Sequence, residues 1–293
     1  MYAVIGGNGF LGSYIIKNIL EETEEMVLAT ATNLSGLEDS QRVRWQKCNI
    51  LDEAEFDGLV EQLKSYSSVK VIFLVAYHHP DMVAANPQYA WNVNVTTLSK
   101  CVNKLHFAQR LFYASTDSVY GNSPENYHFK EDDVLNPVNI YGRNKAAAEA
   151  VIQYSGFHVV RYPFLIGTSL AKGKVHFYDR IVADLMAGKR VEMFSDSYRS
   201  SLDFNTAANL MIKLCEHQGD LPSIVNICGD TDLSKYDVGK MIAHKLNCSE
   251  ELVVPITIAE GADIFKSARA TSTLMDNSLL KKTLQLDSIE LTL

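Results

Sequence analysis

The start of the chain restricts its fold most. Tyr2-Ala3-Val4-Ile5 is a short apolar run ended by Gly6-Gly7-Asn8-Gly9-Phe10-Leu11-Gly12, after which Leu11, Ile15, Ile16, Ile19 and Leu20 recur at helical spacing. Strand, glycine turn and helix in that order build a dinucleotide-binding corner. A turn this tight calls for positive φ, a pyrophosphate must approach bare backbone, and the helix N-terminus presents unpaired N–H groups and a favourable dipole. Gly6, Gly9, Phe10, Leu11 and Gly12 are therefore expected to form the cofactor turn.

Further apolar runs lie at Met26 to Thr30, Val69 to Ala76, Leu111 to Ala114, Val159 to Tyr162 and Ile224 to Ile227, with helix-length stretches between most of them. Runs that are apolar throughout mark strands buried on both faces, and their alternation with helices predicts an α/β fold, a Rossmann doubly wound parallel sheet. After about residue 163 the regularity loosens into a helical pattern at Tyr178 to Ala187, a polar run at Ser195 to Ser201 and a mixed C-terminal third. The pattern predicts a dinucleotide-binding domain over 1-163, with 203-228 packing back on it, and a smaller C-terminal substrate-binding domain over 164-293. No linker, repeat or low-complexity tract separates the two parts, so they are expected to share one cleft.

Composition narrows the partners. The 293 residues are 47% hydrophobic, enough for a full core, but the formal net charge is −8 and the pI about 5.5. No basic surface is available for a nucleic acid or an anionic bilayer. The longest apolar run, Val71 to Tyr77, is far short of the ~20 residues of a membrane span, and no charged n-region precedes the first strand. Five scattered cysteines without a CxxC pair suit reduced thiols and argue against a disulfide frame or a metal site. A cytoplasmic location is expected. The acidic residue that would hold an adenosine ribose 2′-hydroxyl is missing, because the second strand ends in Ala29-Thr30-Ala31-Thr32-Asn33. The cofactor is accordingly NADP or NAD with a lean to NADP, Arg42 or Arg44 serving a 2′-phosphate if the loop folds back.

Tyr141 and Lys145 open an alanine-rich helix. At i and i+4 they share a face, so the Lys145 ammonium is expected to lower the Tyr141 phenol pKa, and a phenol so tuned can exchange a proton at a carbinol oxygen. The same spacing is common on solvated helices. Here, however, the strand Leu111–Ala114 runs upstream into Ser115-Thr116-Asp117-Ser118-Val119-Tyr120-Gly121, and strand C-terminal ends border the ligand crevice of a parallel sheet.

With the Val71–Tyr77 strand, the Asn92-Val93-Asn94-Val95 segment and Arg161-Tyr162-Pro163, these motifs make the chain resemble, over nearly its whole length, the extended short-chain dehydrogenase/reductases that act on nucleotide sugars. The resemblance implies catalytic roles for Thr116 on the substrate oxygen, Tyr141 as general acid/base and Lys145 on the nicotinamide ribose. It implies further cofactor contacts at Asn49, Ile50, Val75, Ala76, Asn94 and Tyr162. Substrate contacts are implied at Thr116 and Asp117, where Asp117 equally well caps the turn, and at Arg199 and Arg269, whose fork geometry suits a diphosphate. The Thr116-Asp117 strand end and the segment Ser267 to Asn277 are similar to the dTDP-4-dehydrorhamnose reductases. Ser118 stands where the 4,6-dehydratases carry a glutamate that removes a carbon-bound proton, work that a serine without an adjacent base cannot do. The expected activity is NAD(P)-dependent reduction of a 4-keto nucleotide sugar. A 4-epimerase, a dehydratase and a non-catalytic dinucleotide-binding regulatory protein are the alternatives. Helices around Asn92–Val102 and Tyr141–Tyr154, with a small face of Ala146, Ala147 and Ala150, are expected to pair in a homodimer.

Overall fold

The computed structural model describes residues 1–125, 127–261 and 264–293. Along the chain, β1 (Tyr2–Ile5), α1 (Phe10–Glu22), β2 (Val27–Ala31), β3 (Val43–Lys47), α2 (Glu53–Lys64) and β4 (Lys70–Phe73) come first. Next are α3 (Pro80–Ala85), α4 (Pro87–Trp91), a π-helical turn at Asn92–Thr97, α5 (Leu98–Lys104), β5 (Arg110–Thr116), β6 (His128–Phe129), α6 (Ile140–Tyr154) and β7 (His158–Tyr162). Then follow β8 (Leu165–Ile166), α7 (Phe177–Met186), β9 (Val191–Phe194), β10 (Tyr198–Arg199), β11 (Leu202–Asp203), α8 (Phe204–Glu216) and β12 (Ile224–Asn226). β13 (Leu233–Ser234), α9 (Lys235–Lys245), β14 (Val253–Ile256), β15 (Ser272–Met275) and α10 (Ser278–Leu284) complete the chain.

Seven parallel strands form the central sheet in the order β12-β7-β5-β4-β1-β2-β3. One face is covered by α1, α8 and α10 through Ile15, Ile19, Met211, Leu214 and Leu280, and the other by α2, α5 and α6 through Phe56, Leu59, Val102 and Ile152. β1 to β5 and β7 are buried on both faces except at their ends and along β3, which matches the unbroken apolar runs. The strand order reverses between β1 and β4, so the crevice for a ligand opens beyond Ile5 and Phe73.

After β7 the chain leaves the sheet, returns through α8, which packs on α1, and adds β12 beside β7 with Val225 opposite Val160. The remaining elements form smaller layers: β13-β10-β15-β6, the pair β11 and β8, and the pair β14 and β9 under α7 and α9. Their own core is Ile166, Tyr178, Ile181, Met193, Val238 and Ile242. Among the described residues no helix is long and apolar enough to cross a membrane, and no group of three or more His, Cys, Asp or Glu side chains is placed to hold a metal.

Candidate active site

The cofactor turn is built by β1 and held by β2. Gly6 turns the chain at φ +89°, a conformation open to glycine without strain. The Gly6 amide donates to Thr30 Oγ1 (3.0 Å) and the Gly7 amide to the Thr30 carbonyl (2.9 Å), which fastens the turn to the end of β2. Gly12 lets α1 press onto the turn, since a Cβ there would stand 2.7 Å from the Gly7 carbonyl oxygen. Gly9 differs from both. Its φ is an ordinary −80°, and beyond its chain neighbours nothing described comes closer than 3.4 Å to the place of a Cβ. The fold itself does not require a bare residue there, whereas a pyrophosphate seated on the α1 N-terminus does.

Asn49, Ile50, Val75 and Ala76 line the same cleft as Gly6 and Gly9. Asn94 acts from behind: its side-chain oxygen accepts from the Tyr77 amide (2.7 Å) and its amide donates to the Tyr77 carbonyl (3.0 Å), so it fixes the loop that carries Ala76. Phe10, partly exposed on the first turn of α1, meets the His176 ring edge-on with centroids 4.9 Å apart, and Leu11 packs against the core beneath. The Tyr162 hydroxyl is buried without a partner among the described residues. Tyr162 packs in the core under α8 with Leu210, Leu214 and Cys215 and does not line the cleft, so the structure does not bring it to the cofactor turn as expected.

Neither arginine expected to meet a 2′-phosphate is placed for it. The β2–β3 register sets Val43 beside Val27, so Arg42 lies where these strands begin, donating to the Leu20 and Thr23 carbonyls away from the cleft. Arg44 pairs with Asp39 at 3.5 Å. The basic groups near the turn come instead from the segment after β8, where Lys174 donates to the Asn8 carbonyl (2.7 Å) and Lys172 lies 4.0 Å from Glu38.

The catalytic group gathers where β5 meets α6. Asn139 caps α6 by accepting from the Gly142 amide (2.9 Å). Gly142 in turn permits the first helical turn to close on the turn that follows β5, because a Cβ there would stand 2.3 Å from the Ser118 carbonyl oxygen. Thr116 ends β5, donates to Asp117 Oδ1 (2.9 Å) and lies beside the Tyr141 phenol, whose proton affinity it lowers. Thr116, Tyr141 and Lys145 thus share one site.

The electrostatics differ from the expected tuning. Burial, and next the Asp117 carboxylate, push the Tyr141 phenol up, and Thr116 offsets them only in part. Lys145 Nζ is directed elsewhere: it donates to the Tyr113 hydroxyl (2.7 Å) and to the Ala114 carbonyl, and stands 4.0 Å from the Tyr113 ring centroid. Burial holds its ammonium down to about 7, with Glu149 opposing the shift. Tyr113 is therefore a residue that the sequence reading missed, hidden as one more apolar-looking position of β5.

Asp117 is an internal hub, accepting from Thr116 and from Ser118 Oγ (3.2 Å) and pairing with Arg199 Nε at 3.1 Å. Arg199 also donates to the carbonyls of Tyr198 (2.6 Å), Thr271 (3.2 Å) and Ala270 (2.8 Å). Arg269 pairs with Asp81 (3.1 Å), donates to Ser267 Oγ (2.9 Å) and lies 4.8 Å from the Phe265 ring centroid.

Residues 2–291 match the RmlD substrate binding domain family. The chain belongs to that family. The fold is shared with solved dinucleotide-dependent enzymes of nucleotide sugars. Similar proteins carry more than one role by name. The methionine adenosyltransferase 2 subunit beta of Xenopus tropicalis is 26% identical over 264 residues, covering 87% of this chain and 74% of its own. The structure of dTDP-4-dehydrorhamnose reductase from Bacillus anthracis, in complex with NADP, superposes with a TM-score of 0.81 at 19% identity, covering 99% of this chain and 94% of that one. UDP-glucuronic acid 4-epimerase from Bacillus cereus, in complex with UDP-glucuronic acid and NAD, gives 0.80 at 18% identity over 98% and 93% of the two chains.

Proposed function

We propose that the chain reduces the 4-keto group of a nucleotide-linked sugar with NADPH or NADH. The observation that carries this reading is the meeting of Thr116, Tyr141 and Lys145 at the C-terminal edge of the sheet, beside a cleft whose glycine turn leaves space at Gly9. The bound nicotinamide supplies the hydride. Thr116 holds the sugar oxygen, and Tyr141 delivers a proton to it as charge develops there. Because burial and Asp117 push the phenol up, Tyr141 stays protonated at neutral pH and is armed as an acid. That favours the reductive direction over an epimerase, whose first step withdraws a proton. Ser118 carries no carboxylate, and the Asp117 carboxylate that its Oγ meets is already shared with Thr116 and Arg199, which disfavours a dehydratase.

The relatives named as subunits of a methionine adenosyltransferase support a second reading, a dinucleotide-binding regulatory protein without turnover. Nicotinamide absorbance with a panel of 4-keto nucleotide sugars separates the two. Oxidation of cofactor is the expected result, and cofactor binding without turnover of any sugar would favour the regulatory reading.

Cofactor choice leans to NADP, supported by the absence of an acid from Thr30 to Asn33 and by Lys172 and Lys174 near the turn. In a fluorescence titration NADPH is expected to bind at least as tightly as NADH, and Gly9→Val to abolish binding of both while the thermal midpoint holds. A tenfold preference for NADH, about 1.4 kcal/mol, would reverse the choice of cofactor.

A homodimer paired through α4 to α6 is supported by Tyr89, Trp91 and Tyr154, large side chains 49%, 47% and 95% exposed, and by exposed Ala150 on α6. Ala146 instead packs inward against the cluster of Tyr120 and Phe129. Light scattering at micromolar concentration is expected to give twice the chain mass; a monomer mass would assign that face another role. A cytoplasmic location accords with the free, mostly buried cysteines.

A further inference from the structure

Leu111, Tyr113 and Ser115 share the face of β5 that lies under α6, and the Lys145 side chain descends from α6 onto Tyr113. Both residues are buried, Tyr113 at 1% exposure and Lys145 at 2%. An ammonium has three N–H donors. One goes to the Tyr113 hydroxyl (2.7 Å) and one to the Ala114 carbonyl, while the Tyr113 ring centroid stands 4.0 Å from the charge. The third meets no acceptor among the described residues. No carboxylate among them lies within 4.0 Å of the Lys145 ammonium, because Glu149, one turn along α6, is engaged by Arg161 and Ser115. The seat of this buried cation is therefore neutral. A hydroxyl in such a seat can do what a carboxylate cannot: it accepts from the ammonium and, once the lysine has lost a proton, donates to the nitrogen lone pair. While Lys145 is charged, the proton of Tyr113 itself has no acceptor among the described residues, so it is free for that reversal.

We propose that Tyr113 is a positioning residue, whose hydroxyl holds Lys145 in one place in both protonation states of the lysine and leaves one N–H of the ammonium for the nicotinamide ribose. This rests on the dinucleotide-dependent reading above. Burial holds the Lys145 ammonium down to about 7, with Glu149 opposing the shift. Burial also pushes Tyr113 and Tyr141 up and holds His78, on the loop after β4, down, so these three neighbours stay uncharged around pH 7. Lys145 is the group that titrates there. Tyr113→Phe keeps the ring and removes the oxygen. A hydrogen bond to a charged group is about twice as strong as a neutral one, so the loss falls more on the ammonium and should lower the Lys145 midpoint by about one pH unit.

The test is a titration by NMR from about pH 5 to 10, with lysine Cε and tyrosine Cζ labelled with carbon-13. In the unaltered protein one lysine is expected to titrate near pH 7, and one tyrosine signal to move in step with it as its hydroxyl turns from acceptor to donor. Tyr113→Phe should delete that tyrosine signal and lower the lysine midpoint. It should also weaken NADPH about fivefold at pH 7, where about half of Lys145 is charged in the unaltered protein and about a tenth in the variant. The affinity ratio should shrink toward pH 5, where both are charged. A hydroxyl that served stability alone would shift the thermal midpoint and leave the lysine midpoint in place. An unmoved lysine midpoint in Tyr113→Phe, or an affinity ratio independent of pH, would overturn the proposal. So would the lack of any tyrosine step at the lysine midpoint, a reading that needs no variant and serves if Tyr113→Phe fails to fold. A lowered lysine midpoint without turnover of any 4-keto sugar would leave the proposal standing and end the reductase reading alone.

Discussion

Tyr141→Phe is expected to keep the fold and both ligand affinities and to lose roughly 10²- to 10⁴-fold in kcat, the range of a general acid. The phenol oxygen is the only atom removed, and Asn139 and Gly142 place the ring independently of it. The pH profile adds a sharper test. A free tyrosine loses its proton near 10, but burial and Asp117 push Tyr141 above that value. The rate of reduction should therefore not decline through loss of the phenolic proton up to about pH 10. Asp117→Asn removes the charge that raises the phenol, so an alkaline decline should move to lower pH in that variant. Ser118→Ala should change kcat little, since its hydroxyl serves Asp117, which keeps Thr116 and Arg199 as partners. A large loss at Ser118 with Tyr141→Phe still active would place the proton transfer on another group.

The parts of this architecture that are buried on both faces were readable in the sequence, because burial leaves an unbroken apolar run. β3 was not. Its residues Val43-Arg44-Trp45-Gln46-Lys47 lie on the outer edge of the sheet, and only Val43 is buried. The Gly6 turn and the Thr116, Tyr141 and Lys145 positions were legible for a related reason: each is tied to a backbone constraint or to a strand end. Partners chosen by the fold left less trace. Nothing in the spacing of Arg199 and Asp117, 82 positions apart, announces an ion pair at 3.1 Å. The same holds for Lys145 and Tyr113, joined at 2.7 Å across α6 and β5.

Arg161→Met should be the most damaging single substitution outside the cleft. Arg161 and Glu149 are each 1% exposed and meet at 2.7 Å, with a second contact from Nε at 3.0 Å. Arg161 also donates to the Tyr120 hydroxyl (2.6 Å) and to the Glu131 carbonyl (3.1 Å), while Tyr120 donates to Asn226 Oδ1 (2.8 Å). Ser115 donates to Glu149 as well. Since Ser115, Arg161 and Asn226 are neighbours in the β5, β7 and β12 registers, one network joins three strand ends to the helix that carries Tyr141 and Lys145. Removing Arg161 leaves the Glu149 charge buried without its partner, which costs about 3–5 kcal/mol. Against a total stability of about 5–15 kcal/mol, that should lower the thermal midpoint by roughly 10 °C. Glu149→Gln/Arg161→Met removes both charges and should recover a substantial part of the loss, while its kcat should stay low because α6 has lost its tie to β5 and β7. A loss below about 1 kcal/mol in the single variant, by chemical denaturation, would mean that water reaches Glu149 and that the network does not fix α6.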